Sequence, residues 1–374
     1  MIKKLSLLFF LMISFGANVA AKDDEQYPNI SGKALFEFRG DSITSSKKDN
    51  INANNGNINI DTDFGLNFNK NWSLITNWRF APMNQQSANN PERYRQILAN
   101  KRGNGLSEDG LAVDQLKGQF ENEDLRFFFG KFNPAFGTAF RKEKRIGVFV
   151  IDFTKDYELR GKIGVGFSAL LEKSEITVDT FFNDTTALSN SAIEKRGTEN
   201  RSNGLAGNTS SPSSYTAAIE GQDFFGVKDL FYNFGYRNLA VDNLPGRDNE
   251  TGMVGGLEYL FPVGIKTSLI PFIEIASINN LSGIKGRNST YTTVALIGKY
   301  SSWTASIARV SRSIRQKNIL TSEDLGRTND KQMQYSVGYK FSNNIAVDIS
   351  RANIKEDGRK AGLLGVLVSY VYNF

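Results

Sequence analysis

The sequence has 374 residues, including 28 Phe and 13 Tyr, and contains neither cysteine nor histidine. Without cysteine there are no disulfides or thiolate metal sites, and without histidine there is no Ser-His-Asp triad or His-based metal centre. The formal net charge of +6 at pH 7 is too small and too dispersed to indicate nucleic-acid binding. We therefore predict a protein that is not an enzyme and that uses no cofactor or metal.

The first 21 residues have the pattern of a secretory signal peptide. Lys3 and Lys4 supply positive charge, residues 5–15 are apolar, and Ala20 and Ala21 are the small residues that signal peptidase requires. A membrane anchor is disfavoured because it needs roughly 20 apolar residues. We expect cleavage after Ala21, which leaves residues 22–374 as one exported domain.

Alternating polar and apolar residues predict β-strands along the rest of the chain. Asn59 and Asp61 fall on one face of such a segment and Ile58 and Ile60 on the other, because side chains on a strand have a period of two. The predicted strands are 34–38, 57–69, 72–80, 112–120, 125–129, 163–171, 176–182, 215–220, 230–236, 253–261, 265–275, 291–300, 303–310, 332–341, 345–349 and 364–374. Alternation alone also suits a soluble β-sandwich. Export and the number of hairpins favour an all-β fold, a transmembrane antiparallel β-barrel of about 16 strands, in a range of roughly 14 to 18.

The connections between the predicted strands are of two kinds. Residues 69–71, 301–302 and 342–344 form very short turns, whereas residues 40–55, 83–110, 184–213, 279–289 and 311–331 form long polar loops. In outer-membrane barrels short turns face the periplasm and long loops face the exterior. The alternation predicts the same orientation here.

The connection after the fifth predicted strand differs from the others in its chemistry. It begins with the run Gly-Lys-Phe-Asn-Pro-Ala-Phe-Gly at 130–137 and continues through a basic run at 141–145. The first run resembles a segment of outer-membrane porins, particularly the phosphate-selective and related anion-preferring kinds. The resemblance implies that this connection folds into the barrel and narrows the pore, where basic side chains create a positive field. The pore-constriction residues would be Lys131, Arg141, Lys142, Lys144 and Arg145. The alternative is a solvated basic loop that binds lipopolysaccharide phosphates at the rim.

Charged residues at inward positions are predicted to line the pore wall. The basic members are Arg79, Lys117, Arg126, Lys162 and Arg237, and the acidic members include Asp61 and Asp63. Facing walls of opposite charge set up a transverse field, so strict anion selectivity does not follow.

The last predicted strand ends in aromatic residues on a single face, at Tyr370, Tyr372 and Phe374. This ending resembles the terminal strand of Gram-negative outer-membrane barrels, in which a C-terminal Phe with aromatics upstream is recognised by the assembly machinery. The resemblance implies a bacterial outer-membrane location and an assembly signal formed by these three residues. It also implies the barrel assembly machinery, outer-membrane lipid and lipopolysaccharide as partners.

Together these patterns predict a porin, a water-filled channel for passive diffusion of small hydrophilic solutes and ions. About sixteen strands leave a water-filled interior, whereas about eight are filled by side chains. The alternative is a surface-binding protein, an adhesin or receptor, with a filled lumen. A homotrimer is implied by the resemblance to porins of this size.

Overall fold

The structure, a computed structural model, describes residues 26–46, 54–82, 109–142, 148, 152–193, 198, 204–317 and 323–374. The predicted signal peptide, residues 1–21, and the basic residues Lys144 and Arg145 lie outside this part of the chain. No helix within it is long and apolar enough to cross a membrane.

The chain forms one closed antiparallel barrel in which each strand pairs with the next and the last strand pairs with the first. The strands are β1 (Asn29–Ser46), β2 (Asn54–Asn67), β3 (Trp72–Pro82), β4 (Asp109–Glu121), β5 (Leu125–Phe132), β6 (Lys162–Leu171), β7 (Ser174–Asn183), β8 (Ser214–Gly221), β9 (Leu230–Leu239), β10 (Glu250–Tyr259), β11 (Phe261–Gly264), β12 (Thr267–Asn279), β13 (Arg287–Tyr300), β14 (Trp303–Lys317), β15 (Asp324–Lys340), β16 (Ile345–Glu356) and β17 (Arg359–Asn373). Because β10 and β11 both pair with β12 and only Leu260 separates them, they form one interrupted strand. The prediction of a 16-strand barrel is therefore confirmed.

The alternation in the sequence determines which side chains face outward. On β15, Gln332, Gln334 and Ser336 are buried inside the barrel, whereas Tyr335 and Val337 are 45% and 50% exposed on the outside. In a membrane this outer face contacts lipid, and closure of the sheet leaves no unpaired strand edge in the hydrocarbon.

The two ends of the barrel differ in their connections, as predicted. At the end where β1 begins and β17 ends, the strands are joined by the turns 68–71, 122–124, 172–173, 222–229, 265–266, 301–302 and 341–344. In the first of these turns, the Asn69 side chain accepts hydrogen bonds from the backbone amides of Asn71 and Trp72, both at 2.9 Å, which closes the turn locally. The longest connections, 83–108, 133–161 and 184–213, join strands at the other end.

Two of the predicted long loops are wrong in extent. Most of 40–55 and of 311–331 is strand, because β1 continues to Ser46 and the β14–β15 hairpin continues to Lys317 and Asp324. From Asp324 to Asn329 both faces of β15 contact water, so the polar–apolar alternation that marks a strand is absent while the backbone pairing persists. On β1 the polar Asp41 and the apolar Ile43 are both buried on the inner face, which also breaks the alternation.

Aromatic rings gather outside the barrel at the short-turn end. Trp72 packs on Phe120 with ring centroids 5.3 Å apart, and Trp303 packs on Tyr339 at 4.8 Å. Such girdles mark membrane interfaces in barrels of this type. Their level fixes one boundary of the lipid-facing band.

Of the predicted assembly residues, Tyr370 and Tyr372 lie on the outer face of β17 and Phe374 directly follows it, next to the closure of the barrel. The backbone of Phe374 exchanges hydrogen bonds of 3.0 and 2.8 Å with Gly32 of β1. The Phe374 ring lies over Gly32, where an added Cβ would come within 2.4 Å of it. Tyr370 stacks on Phe36 of β1, with centroids 6.2 Å apart. The terminal aromatics therefore bridge the first and last strands.

Candidate channel and the loop inside the barrel

The connection between β5 and β6, residues 133–161, is called the inner loop, because its described residues, 133–142, 148 and 152–161, fold into the barrel. Its main anchor is Glu274, an inward-facing residue of β12 that is 1% exposed. One carboxylate oxygen of Glu274 accepts hydrogen bonds from the Thr138 amide at 2.7 Å and the Thr138 hydroxyl at 3.0 Å. The other accepts from the Ala139 amide at 3.0 Å and the Tyr157 hydroxyl at 2.8 Å. Both limbs of the inner loop are thus tied to a single wall residue.

Further contacts carry the inner loop across the lumen. The amide of Val148 donates to the Ser350 hydroxyl of β16 at 2.8 Å. Asp156 forms an ion pair of 2.9 Å with Arg312 of β14 and accepts a hydrogen bond from the Tyr291 hydroxyl of β13 at 3.3 Å. A segment that leaves β5 therefore reaches β16, on another side of the barrel.

Two buried arginines hold the returning limb of the inner loop. Arg237, which is 2% exposed, donates to the Tyr157 carbonyl at 2.7 Å and lies 4.5 Å from the centre of the Phe136 ring. Arg312 stacks on Phe153 at 4.5 Å. Arginine suits both positions because its guanidinium group can donate hydrogen bonds to several oxygens while its planar face stacks on an aromatic ring. Carboxylates from the wall compensate both charges; they are Glu250 for Arg237, and Asp330 and Glu356 for Arg312.

Apolar packing fills the side of the lumen beneath the inner loop. Phe136 and Tyr157 of the loop meet edge to face, with ring centroids 6.2 Å apart, and Tyr157 meets Tyr291 of the wall at 5.1 Å. These rings belong to a buried cluster that continues along the inner faces of β12 and β13, through Ile270, Phe272, Ala276, Ile278, Ala295 and Ile297. Every inward side chain of β12 from Ile270 to Ile278 is buried. On this side the described inward side chains therefore pack against one another and the inner loop.

The opposite side of the lumen remains accessible. No inward residue from Asn57 to Asn67 on β2 is buried, and Asp63 is exposed. The side-chain amide of Asn77 on β3 donates a hydrogen bond to the Asp63 carboxylate at 2.7 Å, which shows that both side chains lie on the inner surface. We call this surface, the inner faces of β2 and β3, the open wall. On the adjoining strand β4, Lys117 lies 4.6 Å from the centre of the Phe128 ring.

A charged cluster lies where the inner loop returns to the open wall. Asp114 of β4 accepts ion pairs from Arg79 of β3 at 2.8 Å and from Arg160 of the inner loop at 3.1 Å. Arg160 also pairs with Glu158 at 3.3 Å, and its side chain is 32% exposed. The sequence analysis missed Arg160, since its basic run ends at position 145. Only the fold brings it beside Arg79.

The predicted constriction residues occupy different surroundings. Lys131 is 3% exposed and pairs with Asp184 at 2.8 Å, so its charge is buried and compensated. Arg141 lies inside the barrel and pairs with Glu220 of β8 at 2.8 Å, with 45% of its side chain exposed. Lys142 ends the short 3₁₀ helix Ala139–Lys142 of the inner loop. Lys144 and Arg145 lie outside the described residues.

The predicted wall residues also divide. Asp61, Asp63 and Arg79 lie on the open wall, with Lys117 beside it. The other three basic residues are engaged elsewhere: Arg126 pairs with Glu121 and Glu175, Lys162 donates to Asn183, and Arg237 lies beneath the inner loop. Inward position alone does not distinguish these two groups.

Solved structures with this architecture are outer-membrane proteins. The outer-membrane channel DcaP of Acinetobacter baumannii is similar over 95% of this chain and 100% of its own, at 11% identity and a TM-score of 0.59. A loop L8 deletion mutant of OmpT, an outer-membrane protein of Vibrio cholerae, is similar over 93% and 100%, at 10% identity and a TM-score of 0.56. The trimer form of OmpT gives the same coverage and identity, with a TM-score of 0.50. No family model and no curated protein matches the sequence. At this level of identity the similarity establishes the fold, that of Gram-negative outer-membrane barrels, in agreement with the predicted location.

Proposed function

We propose that this protein is an outer-membrane porin whose water-filled channel runs along the open wall, with the inner loop narrowing the lumen from the opposite side. The observation that carries the proposal is the contrast between the two sides of the lumen. The inner face of β2 is polar and accessible from Asn57 to Asn67, whereas the inner face of β12 is buried from Ile270 to Ile278.

The chemistry of the open wall suits small hydrophilic solutes and ions. It presents acidic groups at Asp61 and Asp63 and a basic group at Arg79, while Arg141 and Arg160 approach from the inner loop. Charges of both signs in a narrow constriction with low-dielectric walls create a strong local field, which orders polar solutes without excluding either ion outright. Passive diffusion is the mode that such a lining supports.

Conductance in planar lipid bilayers tests the proposal. The purified protein should produce discrete channels, and Asn59→Trp on the open wall should reduce their conductance by about half or more, because a bulky ring enters the narrowed lumen. Thr62→Trp places the same ring on the outer face of β2 and serves as the matched control. An unchanged conductance in the Asn59 variant would move the channel away from the open wall.

A surface-binding protein with a filled lumen is the second candidate. It is favoured by one observation, the apolar cluster that occupies the lumen beside β12 and β13. A folded, heat-stable barrel that produces no channels in the bilayer would support this function over the porin.

We further propose that the protein forms homotrimers, supported by the trimeric OmpT with which it shares its fold. Mass measurement in detergent by light scattering should give three protomers. A single protomer mass would reject the trimer and leave conduction unaffected.

A further inference from the structure

A row of five polar side chains crosses the accessible side of the lumen at one height, and we call it the polar belt. Its members are Asn373 of β17, Lys33 of β1, Asp63 of β2, Asn77 of β3 and Gln115 of β4, and each is the cross-strand partner of the next. At ~4.8 Å between neighbouring strands, the polar belt spans about 19 Å of the inner surface. None of the five residues is buried.

The polar belt offers both donors and acceptors of hydrogen bonds. Asn77, Gln115 and Asn373 each carry a carbonyl oxygen that accepts and an amide group that donates, whereas Lys33 only donates and ionised Asp63 only accepts. Among the described residues, Asn77 donates to Asp63, but the side chains of Lys33, Gln115 and Asn373 form no hydrogen bond or ion pair. Most of the hydrogen-bonding capacity of the polar belt is therefore directed at the contents of the lumen.

The charges in this region come in neighbouring pairs of opposite sign. Lys33 is the cross-strand partner of Asp63 in the polar belt, and Asp61 is the partner of Arg79 in the next inward row toward the long-loop end. Opposite charges one strand spacing apart largely cancel at longer range, because the attraction of one for an ion is offset by the repulsion of the other. A solute with net charge of either sign gains little from such a wall, which favours an uncharged polar solute.

Two apolar side chains lie beside the polar belt, in the same inward row as Asp61. Leu35 of β1 and Val371 of β17 are cross-strand partners, and Leu35 is also the partner of Asp61. Both are half-buried, so part of their surface faces the lumen. Covering apolar surface of this kind with an apolar part of a solute is favourable. The wall therefore suits a solute that combines many polar groups with an apolar face.

We propose that the polar belt, together with Leu35 and Val371, is a binding site for neutral sugars, and that mono- and disaccharides are the solute class that this channel favours. Each hydroxyl group of a sugar both donates and accepts, as the amide side chains of the polar belt do, while the C–H face of the sugar ring packs on the two apolar side chains. The hydrogen-bonding groups that line a pore determine which solutes it selects. The inference rests on the proposed porin function and names its solute class.

Block of the ion current by maltose in planar lipid bilayers tests this inference, because a bound sugar occupies part of the lumen. Maltose should reduce the current through the unmodified protein in a saturable way. Asn77→Leu keeps a side chain of similar size but removes both hydrogen-bonding groups, so it should raise the half-blocking concentration about fivefold, the loss expected for one hydrogen bond. Each block is measured relative to the sugar-free current of the same variant. Asn353→Leu makes the same change on the outer face of β16 and should leave the block unchanged.

Three results would overturn the inference while leaving the porin function intact. Maltose could fail to reduce the current through channels that otherwise conduct. The zwitterion glycine betaine could block as strongly as maltose, which would show that the paired charges bind the solute instead of the amides. Asn77→Leu could keep the half-blocking concentration of the unmodified protein; if this variant does not fold, Gln115→Leu provides the same comparison. A folded protein that forms no channels would instead reject the porin function, and the sugar site with it.

Discussion

Replacing Glu274 with Gln should release the inner loop from the wall while leaving the barrel intact. The side chain keeps its shape, but one of its two acceptor oxygens becomes an amide donor that faces loop donors. Of the two loop groups that face this amide, the backbone N–H loses its hydrogen bond, and the hydroxyl must turn to accept from a neutral group, so two of the four hydrogen bonds to a charged acceptor are gone. At ~1.5 kcal/mol for each bond to a charged group, this weakens the anchoring by about 3 kcal/mol.

A loss of that size changes the equilibrium between docked and released loop by roughly 100-fold, since ~1.4 kcal/mol corresponds to a factor of ten. The docked state should still dominate, because Arg237, Arg312 and Ser350 keep their contacts with the loop. The hydrogen bonds between the strands are unchanged. The folded barrel should therefore keep its electrophoretic mobility and the shift of that mobility on heating.

Limited trypsin digestion provides the measurement, with fragments from cleavage at Arg141 and Arg160 identified by mass spectrometry. Cleavage tracks the population of the released loop when release and return are faster than cutting, so the rate should rise by about 100-fold. Single-channel recordings should show greater open-channel noise. Glu175→Gln is the control, since Glu175 pairs with Arg126 and forms no hydrogen bond or ion pair with the described residues of the inner loop. Equal cleavage and equal noise in the Glu274 and Glu175 variants would refute the anchoring role.

Three further predictions address facing, assembly and selectivity. Ile60→Arg places a charge on the outer face of β2 near mid-strand and should reduce the yield of folded protein, because a charge at the membrane midplane costs about 2–4 kcal/mol. The adjacent inward variant, Asn59→Arg, should fold normally, and equal yields would contradict the assignment of these residues to opposite faces. Deleting Phe374 should sharply lower outer-membrane levels, while Phe374→Tyr should preserve them, and normal levels of heat-stable protein after deletion would argue against the assembly signal. Neutralising Arg141 and Arg145 together should shift the reversal potential, measured in a low-salt gradient, toward cation preference. Lys266→Gln is the surface control and should cause no shift. An unchanged reversal potential in the double variant would show that the basic run does not line the pore.

The sequence by itself determined where the strands lie, which side chains point inward or outward, and at which end of the barrel the short turns and the long loops occur. Each of these is a local property, because a period of two and a run of turn residues can be read within a few positions. The alternation around Asp61 and Gln334 therefore predicts their inward direction correctly. The same reasoning explains the errors at 40–55 and 311–331, because the alternation is broken at Asp41 and Ile43 of β1 and is absent from Asp324 to Asn329 of β15.

Tertiary structure alone decided which inward residues line the accessible side of the lumen. Lys117 and Arg237 are equivalent in pattern, yet one lies beside the open wall and the other is buried beneath the inner loop. The difference arises from contacts such as that between Thr138 and Glu274, which are 136 residues apart in the chain. Such contacts depend on closure of the whole barrel, and no spacing within the sequence records them.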